Sequence, residues 1–161
     1  MIVLGIDPGP ETHGAVVYDT EARRVLWSRK AATPAEALMC ATFYGVSVVL
    51  IERPAVMGTL GPGILGHMFD TCWEAGRISA QAEQRGYRVE TMTRREVLRH
   101  LGVMSGKGSA DSRVRAACIA DHGGTQVAAV GRKASPGPLY GVSSHAWQAL
   151  GLVLAWLEVR A

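Results

Sequence analysis

The run VSVVLIERP (46–54) constrains this chain more than any other stretch. Val48, Val49, Leu50 and Ile51 follow one another with no polar residue between them. Successive side chains of a strand point to opposite faces, so a run apolar at every position needs cover on both faces. The segment therefore reads as a central strand of an α/β domain, and it ends on an acid, Glu52.

The opening MIVLGIDPGP has the same character: an apolar strand over 2–7 runs into Asp7, then turns at once through Pro8-Gly9-Pro10. An acid at the tip of a buried strand costs desolvation energy unless a positive or hydrogen-bonding group meets it. Asp7 is thus either the polar end of a turn or the first ligand of a metal site. Gly9 permits a sharp turn with no Cβ near it.

The rest of the chain supplies the layers. Segments 13–19 and 24–30 read as strands, and the short links before them suit a meander of three antiparallel strands over 2–30. In TPAEALMCATFYG, Thr33 is placed to cap a helix, Pro34 to begin it and Gly45 to end it. A glycine-rich loop follows Glu52, then a long helix from about 66 to 85, a strand over 87–93, and a short helix over 94–101. A flexible GVMSGKGS loop precedes a helix ended by Gly123-Gly124. Residues 125–142 read as loop, and a last helix is expected to start on a serine cap in SSHAWQ. The strands reached through helices are expected to be parallel, with ligands gathering at the carboxyl ends of the strands.

The 161 residues fit a single domain, 1–161, with a sizeable core. No apolar run is long enough to span a bilayer and no basic region precedes the first apolar stretch, so a cytoplasmic location with no membrane partner is expected. Cys40, Cys72 and Cys118 are scattered with no CxxC pair, which argues against a disulfide framework and a zinc site. The net charge of +3 is unevenly placed: residues 94–115 carry six Lys or Arg against Glu96 and Asp111. Such a segment is either a solvated helix face or the footprint of a polyanion.

If the strands ending in Asp7 and Glu52 are parallel neighbours, two carboxylates meet. They repel unless a cation lies between them or one is protonated. Mg²⁺ takes oxygen ligands from one or two carboxylates plus substrate phosphate, and phosphodiester hydrolysis commonly employs a pair of such ions. In the first turn of the last helix, His145 and Gln148 share a face. His145 there is a metal ligand, a general base or a partly buried hydrogen-bonding residue.

Taken in order, LGIDPGPETHGAVVYD, VVLIERP, GRISAQAEQRGYRVETMTRREVLRHLGVMSGKGSADSRV and SHAWQALGLVLAW resemble the RuvC-type Holliday junction resolvases of the RNase H-like superfamily, in a compact form similar to those of phages and prophages. The resemblance covers most of the chain. It implies an RNase H-like mixed sheet of five strands, three antiparallel and then two parallel, flanked by helices. It implies a homodimeric endonuclease that cuts four-way or other branched DNA in a bacterial or phage-infected cell by two-metal-ion hydrolysis, using Mg²⁺ with Mn²⁺ as a substitute.

By that resemblance Asp7 and Glu52 hold the ions and His145 completes one site or orients the attacking water. The family has an acid where this chain has Gln148, so the site loses a negative charge; Asp111 is a conceivable replacement. Lys107 resembles a phosphate contact, with Arg113 and Arg115 on the helix beyond it. Met57 stands near the place of an aromatic wedge. The long helix, which pairs the subunits in the family, offers Met68, Phe69, Trp73 and Ile78, a stripe that equally suits plain core.

Three rival readings bear on function. A non-catalytic binder of branched DNA would keep the basic surface and lack competence through Gln148. An actin-like phosphotransferase shares the D-x-G opening but needs a second lobe and a second phosphate loop. A Rossmann enzyme needs a GxGxxG that no strand here precedes.

Overall fold

A computed structural model of the chain describes residues 1–55 and 62–160. Alternation along the strands sorts residues to the two faces of one sheet. The elements are β1 (Ile2–Asp7), β2 (His13–Asp19), β3 (Arg24–Ala32), α1 (Pro34–Tyr44), β4 (Val48–Arg53), α2 (Pro62–Gln84), β5 (Arg88–Thr93), α3 (Arg94–His100), α4 (Ala110–Asp121), α5 (Gln126–Ala129), β6 (Gly131–Arg132), β7 (Ser135–Pro136) and α6 (Ala146–Glu158).

The main sheet has the order β3-β2-β1-β4-β5. β1 and β2 are antiparallel, as are β2 and β3, while β1–β4 and β4–β5 are parallel. This is the expected mixed sheet, and the apolar run at 48–51 forms β4, an interior strand flanked by β1 and β5, with every residue of the run buried.

Val3, Val16, Tyr18, Val48, Leu50 and Met92 pack with α6, α3 and α4 on one face. Leu4, Ile6, Ala15, Val17, Val49 and Ile51 pack with α1 and α2 on the other. α6 is buried on all sides from Ala146 to Trp156, the signature of a helix enclosed between layers. Gly5 and Gly14 let it approach the sheet: a Cβ on Gly5 would lie 2.5 Å from the Ala149 carbonyl oxygen, and one on Gly14 would collide with the His145 carbonyl.

α1 starts as expected, with a reciprocal capping box between Thr33 and Glu36, and ends on Gly45 at φ 64°. Three expectations need correction. α2 begins at Pro62, four residues early, so that the glycines at 63 and 66 lie within the helix. The stretch 125–142 holds α5 and the small β6–β7 pair. No serine side chain caps α6: His145 occupies the cap position without a side-chain cap bond, and Ser144 adopts φ 48°.

Candidate metal centre and nucleic-acid face

The parallel register of β1 and β4 places Ile6 beside Ile51. One step further, Asp7 and Glu52 therefore emerge side by side at the carboxyl edge, on the face covered by α6. β5 pairs Met92 with Glu52, so Arg94, two residues on at the start of α3, reaches the same face. Thr93 and Glu96 form a capping box that fixes the backbone there. On the other flank, Gly14 pairs with Asp7 and carries the start of α6 directly against its backbone. That contact puts His145 beside the first acid.

The resulting cleft has a volume of about 510 Å³ and is lined by Asp7, Glu52, Arg94, Asp111, His145 and Gln148 among others. His145 Nδ1 lies 3.6 Å from Asp7 Oδ2. The Asp7 carboxylate raises the His145 pKa above its ordinary value, against the opposing effect of burial. Arg94 donates to Glu52 Oε2 at 3.3 Å and also pairs with Asp111. Burial, and then the neighbouring Asp7, push the Glu52 carboxyl up to about 7, while Arg94 pulls it down. The site is thus short of positive charge even with Arg94 in place.

Gln148 is buried. Its Nε2 donates to the Asp111 carbonyl at 3.5 Å, while its Oε1 has no partner. An unpartnered buried acceptor lining a cleft with two carboxylates suits a hard cation, whose donors are carboxylate and amide oxygens, whereas the imidazole of His145 is a softer donor that Mn²⁺ accepts more readily than Mg²⁺. Among the described residues, no three His, Cys, Asp or Glu side chains are grouped to hold an ion as they stand. The residues fit an ion that takes part of its shell from Gln148, water or a substrate phosphate.

Asp7, Glu52, His145 and Gln148 thus line one cleft, and Asp111 lines it too. Sequence reasoning missed two residues here. Arg94 was legible only as one charge in a basic segment; its position follows from the β5 register. His13, fully buried on the opposite face of the sheet, accepts from the Gly9 N–H at 3.3 Å, which in the neutral ring leaves Nε2 as the donor, 3.7 Å from Glu74 Oε2 on α2. It bonds the turn after Asp7 and packs beside the long helix, its Nε2 making no hydrogen bond.

The basic residues divide. Lys107 is exposed on the loop between α3 and α4. Arg115 is exposed, lies over the Trp147 ring at 5.4 Å, donates to Gln126, and lines a second groove that shares Asp111, His145 and Gln148 with the cleft. Arg113 is employed otherwise: its three guanidinium nitrogens donate to the carbonyls of Val103, Gly108 and Met104, which fastens the glycine-rich loop. Met57 lies outside the described residues. The α2 stripe is split, Ile78 being core while Phe69 and Trp73 are 66% and 74% exposed. No described helix is long and apolar enough to cross a membrane.

No family model and no curated protein matches the chain. Solved structures do. RuvC from Thermus thermophilus matches with a TM-score of 0.68 and 18% identity, over 99% of this chain and 95% of that one. T. thermophilus RuvC in complex with a Holliday junction substrate matches with a TM-score of 0.65 and 18% identity, over 99% and 94%. The yeast mitochondrial Holliday junction resolvase Ydc2 matches with a TM-score of 0.54 and 15% identity, over 97% of this chain and 77% of that one. Together with the mixed five-stranded sheet, these likenesses show that the chain has the RNase H-like fold of the RuvC-type Holliday junction resolvases.

Proposed function

We propose that the protein is a divalent-metal-dependent endonuclease that cuts branched DNA, four-way junctions foremost. The observation that carries this reading is the convergence of Asp7 and Glu52, from adjacent parallel strands, on a cleft they share with His145 and Gln148. A bound Mg²⁺ or Mn²⁺ would be held by Asp7 and Glu52 with Gln148 Oε1 or His145; when bound it supplies an activated water and charge stabilisation at the cleaved phosphate.

The chain's own residues do the rest. His145, mostly exposed at the mouth and tethered to Asp7, orients the water or takes its proton. Lys107 and Arg115 meet phosphates and position the substrate without reading its sequence. Two copies pairing through the exposed Ile64, Phe69 and Trp73 of α2 would set two such clefts at a fixed spacing, which is how a junction's shape would be selected.

Cleavage of a labelled synthetic four-way junction tests the reading, with Mg²⁺ and Mn²⁺ titrated and Asp7→Asn and Glu52→Gln run beside the wild type. Paired symmetrical nicks that vanish in both variants, with junction binding retained, are expected. The neutral Gln148 favours a second reading, a junction binder without nuclease activity. Tight binding with no nicks in either metal would select it.

A further inference from the structure

We propose that Arg94 is the second cation of this site: the protein takes one divalent ion on the Asp7 and His145 side of Glu52, and the Arg94 guanidinium permanently fills the position between Glu52 and Asp111. The inference rests on the metal-dependent reading above and specifies how many ions it uses.

Geometry is the first argument. A second ion, about 3.5–4 Å from the first, would need oxygen ligands of its own, at least one of them a carboxylate. Here β4 lies between β1 and β5, so Glu52 has Asp7 on one side and Arg94 on the other, and Arg94 also engages Asp111, the acid available to a second ion. The Arg94 side chain is only 15% exposed, and its backbone is fixed by the Thr93 capping box. It belongs to the floor of the cleft and is not a surface side chain that has folded over.

Charge is the second argument. Asp7, Glu52 and Asp111 carry −3 when ionised, Arg94 returns +1 through its pairs with Glu52 and Asp111, and Gln148 adds nothing, whereas Glu11, on the rim, makes no ion pair with these groups among the described residues. The remaining −2 balances one divalent ion. A second would leave excess positive charge in a half-buried cleft, which is costly to desolvate. A guanidinium stays protonated, and its fork presents five donors, so those not used by Glu52 and Asp111 remain for a phosphate oxygen. The neutral Gln148 then has a physical explanation: with a cation built into the chain, a further carboxylate is not needed to hold one.

The test counts Mn²⁺ by electron paramagnetic resonance, on the protein alone and with excess four-way junction. The wild type is expected to hold one ion per chain with no spin coupling. Arg94→Lys, which keeps the charge, is expected to do the same. Arg94→Gln is expected to bind Mn²⁺ about 10-fold more tightly, since a like charge has been removed from beside the site. Arg94→Gln combined with Gln148→Asp, its fold checked by circular dichroism, is expected to hold a spin-coupled pair. Two coupled ions in the wild type, or unchanged affinity and number in Arg94→Gln, would overturn the role of Arg94 while leaving the nuclease reading standing. No Mn²⁺ bound by the wild type, with or without the junction, would overturn the metal-dependent reading itself.

Discussion

Gly14 and His145 touch backbone to backbone: a Cβ added to Gly14 would overlap both the carbonyl and the Cβ of His145. Because Gly14 is also the β2 partner of Asp7, one contact joins the first acid to the start of α6. Gly14→Ala must therefore shift the α6 start, costing about 1–3 kcal/mol by overpacking. The substitution moves His145 away from the carboxylate that raises its pKa. A histidine NMR titration is expected to show the His145 pKa falling toward its ordinary value, alongside a lower Tm. An unchanged His145 titration would mean that α6 does not depend on this contact for its place.

The two acids were legible in the sequence because both signals are local. A strand's period of two and an acid at its tip can be read from a few residues, and the parallel pairing follows from the intervening helix. Arg94 was not legible, since its role depends on Met92 standing opposite Glu52 across β5. Asp111 reaches the cleft only through the packing of α4 against α6, where Gly151 accepts Val114. The serine pair before α6 looked like a cap, yet Ser144 turns left-handed and leaves His145 at the helix start with its ring turned to Asp7 and making no cap bond. Arg113 shows the limit of charge counting: whether a cation meets solvent or a carbonyl is decided by a loop's path.

Lys107 and Arg113 are expected to separate accordingly. Lys107→Ala should weaken junction binding about equally across sequences and lower the salt slope by about 1, with Tm unchanged. Arg113→Gln removes donors from the Val103, Gly108 and Met104 carbonyls, so it should lower stability by about 1–3 kcal/mol. Fluorescence anisotropy at several salt concentrations, paired with thermal melts, distinguishes them. A Lys107→Ala variant with an unaltered salt slope would remove that loop from the DNA-binding face.

The Glu52 carboxyl gives the metal-free protein a pH dependence of known sign. Its pKa is pushed up from 4.5 to about 7, chiefly by burial. Between those values the folded protein holds this proton more tightly than the unfolded chain does. The stability so gained is full below 4.5 and is lost as pH rises through 7. His145, raised by Asp7, acts in the same direction, whereas His13, lowered by burial, acts in the opposite one. Comparing the wild type with Glu52→Gln largely cancels both histidines, because the two proteins share them. In chelator-treated protein, the Gln variant is expected to gain on the wild type from about pH 5 to about pH 8, by of the order of 3 kcal/mol at most. Urea melts at constant ionic strength measure the difference. Parallel curves would show that Glu52 is already ionised near pH 5, and that Arg94 outweighs burial in setting its charge.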